Sequence, residues 1–508
     1  MTRRQTTAAI LTLALVLATS AALAQDTGTA DFTKYVALGD SLTAAFSSGG
    51  LEATEQVVSY PAILHFQTGA GGTFEQALIL EPGLPSQLQL FSLTPLIIAP
   101  GLGMVEFPDL TADPPDPGSF INIFLNRPYD NLGIPGANLD EALSTLCAEF
   151  DESPFYCVIL RNPECEPLLT DPIGGQCLTD QGGTSSVEQG LSLSPTFISA
   201  WLGSNDVLGA ATSGLVIEGV TITPLDSFTA DYQQLMAMLT ASGAGLVVAN
   251  VPDVTSIPFT TTIPWFVVDP ATGEPVLDSG TGQPIGLLAE TSTGIRQLTP
   301  ADLVLLSASE ALAAGDGIPP QLGGSGLALT NDLVLDADEI AIIDQRILDF
   351  NDVILSEAQA AGAAHVDIFS FLRGLNATGV DLGGIQYTTD FLSGGIFSYD
   401  GVHPTSFGYA VVAQEFVDVI NESFGGSIPP IDLGPFVFGV PGGIQIPAGA
   451  VAGAVLTLEA RDQMLKAMGV PDVETLTRIQ QRRDADRRPS RRERGRRDAP
   501  RRERPGQQ

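Results

Sequence analysis

The stretch Tyr35-Val-Ala-Leu-Gly-Asp-Ser-Leu-Thr43 decides how the chain is organised. Its first four residues are apolar and stop at Gly39, which is typical of a short buried strand, and Ser41 stands where a following helix would begin. A serine at such a junction presents its hydroxyl beside the free N–H groups of the helix, which can stabilise an oxyanion. The same residues also fit a plain turn and helix cap. Other motifs in the chain are needed to choose between a nucleophilic serine and a plain cap.

Three later motifs accompany this stretch: Asn131-Leu-Gly-Ile-Pro-Gly136, Gly203-Ser-Asn-Asp206 and Asp400-Gly-Val-His-Pro404. Together the four resemble, in the same order, the sequence blocks of the GDSL, or SGNH, family of serine esterases and lipases. The resemblance extends over about residues 32 to 425. It is specific for the chemistry and says little about the substrate.

The resemblance implies a serine-hydrolase site. Ser41 would be the nucleophile, His403 the base and Asp400 the residue that orients His403. The backbone N–H groups of Ser41 and Gly136 and the side-chain amide of Asn205 would form the oxyanion hole. No metal ion and no organic cofactor are implied.

The histidines support the same choice of base. The chain has three: His65 lies in an apolar, helix-like segment and His365 opens a predicted strand, so both are expected to be structural. His403 follows Asp400 by three residues, and on one turn the carboxylate can fix the tautomer of the imidazole. The sequence contains no Gly-x-Ser-x-Gly motif, which argues against the α/β-hydrolase fold.

Apolar runs and helical patterns alternate along the chain, which favours a mostly parallel sheet covered on both faces. With the resemblance, this predicts an SGNH-hydrolase-like α/β fold of three layers, α/β/α, with long loop insertions. Further strands are expected at residues 197–202, 245–251 and 365–369, and helices at 140–150, 231–242, 336–362 and 405–424.

The hydrolase domain is expected to span residues 25–425, with insertions at about 44–130, 147–190 and 259–332. The last insertion carries hairpin-like turns at Asp269 to Gly273 and at Asp278 to Gly282. Residues 426–477 are expected to form a connector followed by a helix at about 451–468. An arginine-rich segment, 478–508, is expected to be disordered.

Residues 1–24 are typical of a secretory signal peptide, with Arg3 and Arg4, an apolar run and a small-residue cleavage site at Ala22-Leu-Ala24. The apolar run is shorter than the ~20 residues that a membrane span needs, so no stable span is expected. The mature protein is therefore predicted to be exported to the periplasm, the outer envelope or the medium.

The four cysteines, Cys147, Cys157, Cys165 and Cys177, lie close together in a Pro/Gly-rich segment. A zinc site is disfavoured because no C-x-x-C pair and no nearby histidine accompany them. In an exported protein two disulfides are the better interpretation. The spacing leaves all three pairings open.

The charge is strongly acidic, with 23 Lys and Arg residues against 59 Asp and Glu residues. Of these, residues 478–508 carry 13 arginines and 5 acidic residues, so residues 25–477 hold 8 basic and 54 acidic groups. Such a body should repel nucleic acid and anionic membrane surfaces. The composition suggests adaptation to high salt, and calcium-dependent folding stays open as the other explanation.

These features predict an exported serine esterase or lipase that hydrolyses a small-molecule or lipid ester through an acyl-enzyme. Two alternatives stay open: a catalytically silent SGNH-fold protein with a binding or cell-envelope role, and a carbohydrate acetylesterase. The sequence decides neither the acyl chain nor the oligomeric state.

Overall fold

A computed structural model gives the fold. It describes residues 25–93, 96–101, 122, 125, 127–145, 155, 159–160, 184–437 and 454–487. The predicted signal peptide, the four cysteines and most of the arginine-rich segment lie outside the described residues.

The described chain alternates strands and helices. The strands are β1 (Tyr35–Gly39), β2 (Leu88–Leu93), β3 (Leu96–Pro100), β4 (Asn131–Gly133), β5 (Phe197–Trp201), β6 (Gly245–Ala249), β7 (Leu288–Thr291), β8 (Gly294–Gln297), β9 (Leu303–Val304), β10 (Val334–Leu335), β11 (Ala364–Val366), β12 (Val380–Leu382), β13 (Ile385–Tyr387) and β14 (Val455–Leu456). The helices are α1 (Ser41–Ala44), α2 (Ala53–Gln56), α3 (Tyr60–Gln67), α4 (Leu139–Ser144), α5 (Ser186–Ser192), α6 (Asn205–Ser213), α7 (Leu225–Ala241), α8 (Pro258–Thr261), α9 (Ser309–Ala313), α10 (Ala337–Ala361), α11 (Ile368–Thr378), α12 (Ser406–Phe424), α13 (Leu458–Ala467) and α14 (Val473–Arg487).

A five-stranded parallel sheet forms the centre, in the order β11-β6-β5-β1-β4. Every residue of β1 and β5 is buried, as expected for strands covered on both faces. Gly39 at the end of β1 pairs with Gly133 of β4 and with Trp201 of β5. Because parallel strands end at the same edge, the three motifs that follow β1, β4 and β5 meet there.

Two groups of helices flank this sheet. One group contains α4, α7 and α10, in which α7 packs against both α4 and α10, and Phe228 of α7 stacks on Phe350 of α10 at a ring distance of 3.8 Å. In the other, α3 packs against α12, where Tyr60 stacks on Phe416 at 4.6 Å. The predicted three-layer α/β class is confirmed.

Several element boundaries differ from the prediction. Helix α7 begins at Leu225 instead of 231, because Phe228 adds a buried apolar position to the first turn. Helix α4 ends at Ser144, and residues 146–150 of the predicted helix lie outside the described residues. Strand β11 ends at Val366, since Asp367 caps a new helix by accepting the Ser370 N–H, so residues 368–369 are helical and the prediction of strand there was wrong.

The long helix α10 follows its sequence signals closely. Asp336 and Glu339 form the predicted capping box, and Gly362 ends the helix in a left-handed conformation with φ of +67°. Both predicted turns of the last insertion are present, with Gly273 N donating to Asp269 O and Gly282 N donating to Asp278 O, each at 2.8 Å.

Parts of the predicted insertions belong to the helical layers. Helix α3 lies within 44–130 and packs on α12. Helix α5 begins within 147–190, at Ser186, and packs on β1 and β4. Residues 259–332 instead bury a small hydrophobic cluster of their own, which includes Ile263, Val267 and Leu287.

The C-terminal part contains a strand that was not predicted. Residues 455–456 form β14, which pairs in parallel with β3, and only then does α13 begin. The chain up to Val470 and the chain from Pro471 form two separate compact units. Helix α14, in the second unit, continues to Arg487, so residues 478–487 of the segment expected to be disordered are helical; glutamine and arginine favour helix there. No helix among the described residues is both long and apolar enough to cross a membrane.

Candidate active site

Ser41 is the first residue of the short helix α1, directly after strand β1. Asp40 caps this helix by accepting the Leu42 N–H at 2.9 Å. The side chain of Ser41 is buried, with 3% of the residue exposed. The strand and the cap therefore fix the direction of the hydroxyl at the carboxyl edge of the sheet.

A continuous chain of hydrogen bonds joins Ser41 to the last motif. The Oγ of Ser41 lies 3.0 Å from Nε2 of His403, and Nδ1 of His403 lies 2.9 Å from Oδ2 of Asp400. The residues are 362 positions apart in sequence, yet all three are at most 3% exposed. This is the arrangement in which an imidazole can take a proton from a serine while a carboxylate orients it.

Four further donors hold the carboxylate of Asp400. Its Oδ1 accepts from Ser398 Oγ at 3.1 Å and from the N–H groups of Val402 and His403 at 2.9 and 2.8 Å, and its Oδ2 accepts from Gly49 N at 2.9 Å. Burial acts to raise the pKa of Asp400, but the nearby His403 and these hydrogen bonds outweigh it, and the pKa lies below its ordinary value. An ionised Asp400 keeps the proton on Nδ1 and leaves Nε2 free to accept.

Gly49 and Ser398 were not among the predicted site residues. Ser398 lies two residues before Asp400, and its short polar side chain is a weak local signal. Gly49 lies in a segment interpreted as an insertion, and nothing in its sequence surroundings points to Asp400.

The two remaining oxyanion-hole candidates lie next to each other. Gly136 follows β4 with φ of +83°, a conformation that glycine adopts without strain. Asn205 begins α6, and its Nδ2 donates to the carbonyl oxygen of Ala137 at 2.9 Å. That bond uses one N–H of the amide and leaves the second available for an oxyanion.

Two buried carboxyl groups adjoin these candidates. Asp206 accepts from Leu139 N at 3.0 Å and from Thr223 Oγ1 at 2.8 Å, so it ties the start of α4 to α6. Burial raises the pKa of Asp206 to about 7. Burial also raises the pKa of Asp40 to about 6, although the Leu42 N–H and His403 oppose that shift.

A pocket that is partly open to solvent adjoins Ser41 and His403, and the empty space in and in front of it, open solvent included, is about 700 Å³. Apart from these two residues and Ser204, the side chains that line it are almost entirely apolar. Helix α11 and the loop after β6 contribute seven of these apolar residues: Pro252, Val254, Ile257, Ile368, Phe371, Leu372 and Leu375.

The other two histidines take no part in this hydrogen-bonded chain. His65 lies on α3 and stacks on Phe74 at 5.4 Å, and His365 lies in β11, in register with Val248. Burial lowers the pKa of both. Within the described part of the chain, no group of three or more His, Cys, Asp and Glu side chains could hold a metal ion.

Comparison with known proteins agrees with the fold. The family model described as GDSL-like Lipase/Acylhydrolase matches residues 35–416, which include all four motifs and run from β1 into α12. Among curated proteins no match was found. The chain therefore belongs to the GDSL-like lipase/acylhydrolase family, and the activity of this family is that of an acyl hydrolase.

Proposed function

We propose that the protein is a serine esterase or lipase that hydrolyses carboxylic esters through an acyl-enzyme on Ser41. The observation that carries the proposal is the unbroken chain from Ser41 Oγ through His403 to Asp400, with distances of 3.0 and 2.9 Å. These distances lie within hydrogen-bond reach for proton transfer without any rearrangement.

In the first step, Ser41 Oγ attacks the ester carbonyl carbon while Nε2 of His403 takes the hydroxyl proton. The resulting imidazolium donates this proton to the alcohol oxygen as the carbon–oxygen bond breaks, which leaves the acyl group on Ser41. Water then enters beside His403, gives a proton to Nε2 and attacks the acyl carbon. The carboxylic acid departs, and the proton returns from His403 to Ser41.

Negative charge develops on the carbonyl oxygen in both steps. We assign its stabilisation to the N–H groups of Ser41 and Gly136 and to the free N–H of Asn205. Since Ala137 O already orients the amide of Asn205, this donor needs no reorganisation during the reaction.

The pocket supports an aliphatic acyl chain as the substrate group. The acyl group stays attached to Ser41 while the alcohol leaves and water replaces it, so a mostly apolar cavity suits the group that stays. Each buried CH₂ contributes ~0.8 kcal/mol, which corresponds to about a fourfold gain in kcat/KM until the pocket is filled. An acetyl group would leave most of this apolar lining unused, and this disfavours the acetylesterase alternative.

Export belongs to the proposal as well. It is supported by the charged start, apolar run and small-residue cleavage site of residues 1–24. Sequencing the N-terminus of the protein recovered outside the cytoplasm tests it: a start at Gln25 is expected, and retention of Met1 in a cytoplasmic protein would contradict export.

The test of the catalytic proposal is hydrolysis of p-nitrophenyl esters from acetate to decanoate. Ser41→Ala is expected to lower kcat by ~10⁴-fold or more. Ser186→Ala is the matched control, because Ser186 is also buried and its hydroxyl donates to Ala142 O at 3.0 Å, but it bonds no histidine. Equal background rates for the wild type and Ser41→Ala would leave a catalytically silent SGNH-fold binding protein as the better description.

A further inference from the structure

The C-terminal segment 454–470 lies beyond the family match, which ends at residue 416. It is nevertheless part of the buried body. Leu456, Ala460 and Met464 are completely buried, and Ala467 and Met468 are nearly so. What this segment packs against connects it to the catalytic site.

The end of segment 454–470 lies against Gly136, the glycine proposed to donate its N–H to the oxyanion. A Cβ atom on Gly136 would lie 2.8 Å from the carbonyl carbon of Met468, 2.9 Å from Gly469 N and 3.1 Å from Ala467 O. All three are backbone atoms, which cannot rotate away as a side chain could. The backbone at the end of α13 therefore limits where Gly136 can lie.

The same segment touches the helix that carries Asn205. Helices α13 and α6 are in contact, and Cγ2 of Val470 lies 3.6 Å from the place that a Cβ of Gly209 would take on α6. Both elements that supply the oxyanion donors outside Ser41 thus pack on residues 458–470.

A third contact leads to Asp400. Nε2 of Gln463 donates to Ser86 O at 2.8 Å and lies 3.4 Å from Gly49 O. The N–H of Gly49 is one of the donors to Oδ2 of Asp400. Helix α13 therefore also supports the loop that helps to hold the carboxylate.

Two of the predicted insertions anchor this segment. Strand β14 pairs with β3 from residues 44–130. From residues 259–332, Ser309 Oγ accepts the Leu456 N–H at 2.8 Å, and Glu310 Oε2 accepts the Leu458 N–H at 2.7 Å. These two insertions therefore hold residues 454–470 against the site, whether or not they also contact the substrate.

We propose that residues 454–470 are a positioning element of the catalytic site, which sets the location of the Gly136 N–H through the backbone of Met468 and Gly469. The inference rests on the proposed function, because it concerns the same oxyanion hole. A segment that only filled space would contribute to stability and leave the rate of the chemical step unchanged.

The test compares two glycines with the same backbone conformation. Gly469 has φ of +71° and faces Gly136, whereas Gly362 has φ of +67° at the end of α10 and a Cβ there would meet nothing within 4 Å. Valine is a steric outlier at positive φ, so Gly469→Val and Gly362→Val both force the local backbone to shift. Only the shift at Gly469 occurs against Gly136 and its loop after β4.

Both variants are expected to lower the melting temperature to a similar extent. Gly469→Val alone should lower kcat by ~10- to 100-fold with KM changed by less than about twofold, since a small displacement of an oxyanion donor acts on the transition state. Inhibition by an alkyl trifluoromethyl ketone, which forms a tetrahedral oxyanion on the serine, should weaken by a similar factor.

A milder variant tests the same segment in case Gly469→Val does not fold. Gln463→Met keeps the volume of the side chain and removes its donors to Ser86 and Gly49, and it should lower kcat by a few-fold. Equal kcat values for Gly469→Val and Gly362→Val, in an enzyme that depends on Ser41, would overturn this inference alone. Activity that survives Ser41→Ala would instead refute the proposed function.

Discussion

Replacing Asp400 by asparagine tests the core of the site with a change of one atom. The carboxylate accepts five hydrogen bonds, and an asparagine side chain offers one oxygen and one NH₂ group. If its oxygen takes the place of Oδ1, it still accepts from Ser398, Val402 and His403 N. The NH₂ group then faces the Gly49 N–H and the Nδ1 of His403.

This orientation leaves one backbone N–H unpaired, that of Gly49. The opposite orientation leaves two unpaired, those of Val402 and His403. An unpaired buried N–H costs ~1–3 kcal/mol, so the first orientation should be favoured by ~2 kcal/mol, or about 30-fold. In this orientation Nδ1 must accept a hydrogen bond, and the imidazole proton moves to Nε2, which can no longer take the proton of Ser41.

The change of the His403 tautomer alone should therefore lower kcat by ~30-fold. The neutral amide also fails to stabilise the imidazolium, and in serine proteases the same substitution costs ~10⁴-fold in total. We expect Asp400→Asn to fall between these values, with KM little changed.

Hydrolysis of p-nitrophenyl octanoate measures this, with Asp336→Asn as the matched control. Asp336 is 2% exposed and also accepts backbone N–H groups, from Ser292, Asp338 and Glu339, but it contacts no histidine. A loss of less than about tenfold in Asp400→Asn, or an equal loss in both variants, would refute the assignment of Asp400 as the residue that orients His403.

Three further predictions concern neighbouring groups. Asn205→Ala should lower kcat by ~10²- to 10³-fold with little change in KM; an unchanged kcat would mean that the amide only holds Ala137. The pKa of Asp206 is raised from 3.8 to about 7, so between these pH values the folded protein keeps a proton that the unfolded chain has lost, and stability falls as pH rises. The free energy of unfolding of Asp206→Asn, measured with urea, should therefore change less with pH across this window than that of the wild type, and parallel curves would contradict this. Leu372→Trp should fill the pocket and lower kcat/KM for decanoate far more than for acetate, whereas a uniform loss would remove Leu372 from the acyl site.

The sheet and the meeting of the motifs could be predicted because their signals are local. A short apolar run precedes Ser41 in the first motif and Gly203 in the third, and parallel strands bring their carboxyl ends to one edge whatever the length of the chain between them. His403 lies in the loop before α12 and follows no strand of this sheet, so its approach to within 3.0 Å of Ser41 across 362 positions was predicted from its motif alone. The capping box at Asp336 and the stop at Gly362 were readable for the same reason.

Contacts between distant residues without a shared local pattern could not be predicted. The bond from Gly49 to Asp400 spans 351 positions, and Gly49 has no side chain to mark it. The boundary between β11 and α11 was misplaced because Ile368 and Phe369 suit a buried strand and a helix equally well, and the Asp367 cap decides between them.

The same contrast explains why the motifs indicate the chemistry and leave the substrate open. Catalytic groups have to be particular residue types, because the side chain that most often exchanges a proton with a serine near neutral pH is an imidazole. A pocket for an aliphatic chain needs only apolar side chains of suitable size, and the sequence of α11 resembles that of any amphipathic helix with its apolar face turned inward. Under the proposed function, Ile368, Leu372 and Leu375 form a binding surface only because open space lies in front of them, between the loop after β6 and helix α12. Substrate preference is therefore a property of the packing between elements, and small changes in side-chain volume along α11 should alter the preferred acyl length while the catalytic residues stay the same.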